Sequence, residues 1–141
     1  MPDHALERAA IEAFANDAVK ERMLFLVGRH KRRNDLLGII HTSRFLAPSV
    51  LAKLPPESLV HNRDMGLQAL LTLLKKLGIG PTCYAISALR SLDGQSVPFK
   101  QALDECFMNT VETLLFDPTG QMGYFEGGHP NDRYILLPHN K

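Results

Sequence analysis

The apolar residues of this chain first change their period at Gly80-Pro81, and that change points to an α+β fold. Before it, Leu67, Leu70, Leu71, Leu74 and Leu77 recur at spacings of three and four. His61 or Asn62 opens this stripe, and Lys75, Lys76 and Gly78 close it, so a helix over 62–77 with a basic last turn and a glycine stop is expected. After it, Thr82 to Leu89 alternates imperfectly between polar and apolar residues, the pattern of a strand.

Three shorter helices are expected ahead of the long one. Leu6, Ala9, Ala10, Ala13 and Phe14 mark the first, from Asp3 to about Asp17. Val19, Met23, Leu26 and Val27 mark a second that stops at Gly28; a strand over Met23 to Val27 is the rival, disfavoured because only one of those five residues is β-branched. Leu36, Leu37 and Ile40 mark a third running towards Phe45. From Ala47 to Glu57 the prolines Pro48, Pro55 and Pro56 make a turn-rich connector, while Val50, Leu51 and Leu54 keep it against a core.

Past the first strand, Leu92-Asp93-Gly94 is a turn, and Pro98 introduces a helix carrying Phe99, Ala102, Leu103, Cys106 and Phe107. Val111 to Phe116 and Met122 to Glu126 form a hairpin about the turn 117–120. A second turn, 127–132, leads to a last strand at Tyr134 to Leu137. The expectation is a helical N-terminal half packed on a four-stranded, mostly antiparallel sheet in the order strand-helix-strand-strand-strand, with helices on one side. The crossover helix leaves room for a parallel pair.

With 141 residues, 45% of them hydrophobic, one domain over 1–141 is expected, its helical part at 1–46 and its helix-plus-sheet part at 61–138. Asp3 and Glu7 sit where an export signal would be basic. The longest apolar run, Met23 to Val27, is far short of the about 20 residues of a spanning helix. The expectation is a cytoplasmic protein without membrane contact, with Cys83 and Cys106 reduced.

Net charge is +1, but unevenly spread. Residues 20–44 hold seven basic residues against two acidic, a balance of +5; residues 93–126 hold one against six, a balance of −5. Several combinations in this order are similar to small uncharacterised bacterial proteins over roughly Lys20 to Leu137. They are the helix beginning Lys20-Glu21-Arg22, the turn Lys31-Arg32-Arg33, the proline-rich connector, Asp93-Gly94, Tyr124-Phe125-Glu126-Gly127 and Arg133-Tyr134. The resemblance implies two helices rather than a β-hairpin over 20–42, and places the first helix outside the shared part.

The densest candidate for function is Arg29, His30, Lys31, Arg32 and Arg33, whose cations suit a nucleic acid or an acidic protein surface. The plainer readings are a solvated turn, or pairing with the acidic segment 93–126 of the same fold. A homo-oligomer joining the +5 and −5 segments is a third. A small hydrolase or transferase at the sheet edge would use Cys83, Glu126 and His129, with Gly127 and Gly128 offering backbone N–H groups to an anion. Against it, Gly-Gly-His-Pro-Asn-Asp is also an ordinary hairpin turn, Cys83 and Cys106 suit a core, and His41 and His61 read as capping or partly buried groups. No short metal-ligand pair, phosphate loop or dinucleotide fingerprint is present, so no metal or cofactor is expected.

Overall fold

The computed structural model describes residues 2–54, 62–119 and 121–138. Pro55, Pro56 and Glu57 of the connector, His61 as a helix start or cap, and Gly120 of the first turn lie outside the described residues. The helices are α1 (His4–Phe14), α2 (Asp17–Leu26), α3 (Arg33–Ile39), α4 (Arg63–Lys76) and α5 (Phe99–Cys106). The strands are β1 (Leu51–Ala52), β2 (Thr82–Ser87), β3 (Ser96–Pro98), β4 (Thr113–Asp117), β5 (Met122–Glu126) and β6 (Arg133–Leu136).

Local chemistry starts the helices. The Asp3, Asn16 and Asn62 side chains accept hydrogen bonds from the backbone N–H of Leu6 (3.1 Å), Val19 (3.2 Å) and Met65 (3.1 Å), at the heads of α1, α2 and α4. The Asn16 cap settles the helix-or-strand ambiguity over 23–27 in favour of helix. The third helix is shorter than expected and ends at Ile39, with a separate 3-10 turn over Ser43–Phe45. Gly38 and two β-branched isoleucines weaken its last turn, and Thr42 caps the next start.

Among the described residues the sheet has six strands rather than four, in the order β1-β6-β5-β4-β2-β3, and every neighbour is antiparallel. The two unforeseen strands are its edges. β1 lies within the proline-rich connector, beside β6; β3 folds back on β2 before α5 begins. The crossover through α5 therefore joins β3 to β4 on either side of β2, and no parallel neighbours arise.

Helices cover both faces of this sheet, not one. Tyr84, Ile86, Leu114, Phe116, Phe125 and Leu136 pack with α1, α2 and α3. Cys83, Ala85, Leu115, Tyr124 and Ile135 alternate with them and pack with α4 and α5. A strand buried on both sides needs no polar face, so all of β4 and β5 is buried and the alternation in the sequence is imperfect.

One polar cluster fastens the N-terminal helices to the sheet. Glu7 of α1 is fully buried. Its carboxylate accepts both Nη groups of Arg33 (2.7 and 2.8 Å) and the Tyr84 hydroxyl (2.6 Å). Arg33 also donates Nε and Nη2 to Asp93 (3.0 and 2.7 Å), and Asp93 accepts the backbone N–H of Ser87 (3.0 Å). Burial opposes the charge on Arg33, but its hydrogen bonds and charge contacts with Asp93 and Glu7 outweigh that and raise its pKa. Replacing Arg33 with Ala leaves Glu7 buried without its counter-ion. Urea unfolding is expected to show a loss of about 3–5 kcal/mol, with Glu7→Gln/Arg33→Met costing less than the two single losses added.

Candidate functional site

α2 ends at Leu26, and Gly28 at φ +84° turns the chain into the basic segment. Arg29, His30, Lys31 and Arg32 are exposed, while Arg33 turns inward to Glu7 and Asp93. Helical phase explains the split. Arg33 opens α3 three residues before the buried Leu36 and seven before Ile40, so its side chain falls on the inner stripe. Arg32 Nε lies 2.5 Å from Asp35 Oδ2 on the outside. The open cations are thus Arg29, His30 if protonated, and Lys31, with Arg32 partly neutralised.

Beside them is a residue that the sequence reading counted only as part of an apolar run. Phe25 is 50% exposed, and the Arg29 guanidinium lies 4.2 Å from its ring centroid, held by an Nε hydrogen bond to the Phe25 carbonyl (2.9 Å). Arg22, also exposed, stands one helical turn before Phe25 on the same side of α2. Cation, open ring and cation follow one another along this corner.

The structure does not assemble Cys83, Glu126 and His129. Glu126 is level with Ser87 across β4, whereas Cys83 lies four residues back along β2, an offset of roughly 13 Å along the strands in addition to the two strand spacings between them. Cys83 is buried, and burial, then the charge of Asp117, pushes its thiol up to about 12. Cys106 is buried in α5, and burial also raises its thiol well above the usual value.

Glu126 is fully buried and serves the fold. Its carboxylate accepts the backbone N–H of Met108 (2.9 Å) and Thr110 (2.7 Å) and the Tyr124 hydroxyl (2.9 Å), pinning a loop in which both Met108 and Thr110 have positive φ. Burial raises its pKa despite these donors and the nearby Arg133, whose Nε is 3.7 Å away.

His129 is exposed, and its neighbour is His41 rather than Glu126 or Asp132. The two rings meet edge to face with centroids 5.0 Å apart, and His41 Nδ1 lies 2.6 Å from Glu112 Oε2. Gly127 and Gly128 do not offer their N–H groups to an anion; they donate to the carbonyls of Asp132 (2.8 Å) and His41 (2.7 Å). A Cβ at Gly128 would lie 2.2 Å from the His41 ring, so this glycine seats the imidazole. The sequence reading missed the pairing of His41 with Glu112; the adjacent glycines were its only local trace.

Among the described residues, no group of three or more His, Cys, Asp or Glu is placed to hold a metal, and no helix is long and apolar enough to cross a membrane. A cavity of about 560 Å³ lies between α4 and α5, lined by Leu67, Leu71 and Pro98 with Asp64, Lys100 and Asp104 at its rim. It contains none of the candidate binding or catalytic residues read from the sequence. Comparison with protein-family models, curated proteins and solved structures returns no match for this chain.

Two outcomes follow from this geometry. With the Cys83 thiol held near 12, little thiolate exists at pH 8. Alkylation by iodoacetamide is expected to be slow in the native protein and complete at both cysteines in denaturant; fast native labelling would contradict the burial. Gly128→Ala must displace the partly exposed His41 ring from Glu112, and a loss of at most about 1 kcal/mol is expected in thermal or urea unfolding.

Proposed function

We propose that this protein is a non-enzymatic binding module that uses the corner between α2 and α3 to hold a nucleic acid, with an acidic protein surface as the second reading. The observation that carries the proposal is Phe25, half exposed beneath the Arg29 guanidinium at the head of the basic turn. A solvated turn needs charge but no aromatic ring. A binder of unpaired bases uses both, since cations track the phosphates and rings accept stacking. The geometry supports Arg22, Phe25, Arg29, His30 and Lys31 as the contact set, with Arg32 at its margin. Arg33 belongs to the core cluster and is not part of it.

Two alternatives lose support. A hydrolase or transferase would need Cys83, Glu126 and His129 within reach of one another, and two of the three are buried at different ends of the sheet. Self-association would need unmatched carboxylates in 93–126. Of the six acidic residues there, Asp93 meets Arg33, Asp104 meets Arg63, Glu112 meets His41 and Glu126 meets Arg133 within the chain, Asp117 is buried on backbone N–H groups, and Glu105 accepts the Ser91 hydroxyl without a cation, which leaves little unmatched charge for a second copy.

Fluorescence anisotropy with a labelled single-stranded oligonucleotide at low salt tests the proposal, with polyglutamate as the comparison ligand. Binding that weakens steadily with salt is expected, together with at least a tenfold loss in Arg29→Glu/Lys31→Glu. Phe25→Ala is expected to weaken the oligonucleotide by a factor corresponding to about 1–3 kcal/mol per stacked base. Tighter binding of polyglutamate would favour the acidic protein partner. Affinity unchanged by the charge reversal would overturn both readings.

A further inference from the structure

Apart from the basic corner, the histidine pair at the far end of β4 and β5 has a chemistry of its own. An ionised Glu112 can only accept, so its 2.6 Å contact places a proton on His41 Nδ1 and leaves Nε2 as the ring nitrogen that can give a lone pair to an ion. A carboxylate on the outer nitrogen is the usual means of orienting a metal-ligating imidazole. Two imidazoles bound to one ion through nitrogens at about 2.0–2.1 Å hold their ring centroids roughly 5 Å apart. The observed separation of His41 and His129 is 5.0 Å, with the rings inclined at 74°.

The arrangement is held from several sides. Glu112 stands just before β4, and the β5–β6 turn is tied to the loop after α3 by the hydrogen bond from Gly128 N–H to the His41 carbonyl. Asp132 accepts the backbone N–H of Ser43 at 3.0 Å, fixing the other side of that turn. Any side chain at Gly128 would occupy the place of the His41 ring. The His41 side chain is 45% exposed and His129 is exposed, so water can reach any ion they share.

We propose that His41 and His129 together bind one transition-metal ion of the zinc, nickel or copper class, with Glu112 as the positioning carboxylate and water completing the coordination. Two neutral imidazoles favour such ions over magnesium or calcium, which prefer oxygen ligands. The ion would bridge the loop after α3 to the β5–β6 turn, adding a cross-link between the helical half and the sheet.

Calorimetric titration of the full chain with zinc chloride, in a non-chelating buffer containing excess magnesium, tests this site separately from nucleic-acid binding. Saturation at one equivalent is expected, with the ring nitrogens of His41 and His129 shifting together in the nitrogen NMR spectrum. His129→Ala changes an exposed side chain and is expected to lower affinity at least tenfold. Glu112→Gln, which keeps an acceptor but loses the charge, is expected to weaken it roughly 10–100-fold. Absence of saturable binding, suppression by magnesium, or equal affinity in His129→Ala would overturn the proposal.

Discussion

A carboxylate with no access to water must be met by donors, and Glu7 sets that condition at the centre of this fold. Its α1 helix otherwise buries Ala10, Ile11 and Phe14 against the sheet, an apolar contact that restricts rotation and sliding only loosely. Charge adds direction. The two Glu7 oxygens match the fork of Arg33, the rest of the fork matches Asp93, and the Tyr84 hydroxyl supplies Glu7 with a third donor. Three regions distant in sequence, α1, α3 and β2 with its following turn, are thereby held in one relative placement. Desolvating three charges makes the cluster costly, so its contribution lies more in specifying that placement than in net stability.

The same cluster decides what the basic segment can do. Five consecutive basic side chains look equivalent in sequence, yet a helix beginning at the last of them sorts them by phase. Arg33 is drawn inside with Leu36 and Ile40, whereas Arg29 is left outside and lies on Phe25. An arginine engaged by the buried Glu7 and the partly buried Asp93 and an arginine stacked on an open ring are opposite uses of one residue type. Only the second is available to a partner.

Elements long enough to display a period were legible in the sequence. α4, with its leucine stripe, lysine-rich last turn and Gly78, and the hairpin of β4 and β5 appear close to where the residues place them. β1 and β3, of two and three residues, are too short for any alternation to show; they form because the edges of a sheet offer unpaired backbone groups. The number of covered faces was hidden for a related reason. Continuous burial of Leu114, Leu115 and Phe116 looks the same whether helices lie on one side or two, until the alternate residues are seen to meet different helices.

The site was legible in its charge and not in its geometry. Phe25 stood inside a run of five apolar residues, and only the helical phase of α2 turns it outward while Met23 and Leu26 turn in. His41 and Glu112 are 71 positions apart, and no local pattern carries a contact at that separation. What the sequence did contain was the complementary constraint, a Gly127-Gly128 pair in the β5–β6 turn. By sequence, glycine there suits an ordinary hairpin turn or, alternatively, backbone N–H groups free for a ligand. Those groups are occupied, and the missing side chain at 128 instead makes room for an imidazole. A glycine in a turn can be required by its own backbone or by a neighbour's bulk, and at Gly128, which lacks a positive φ, the neighbour is the reason.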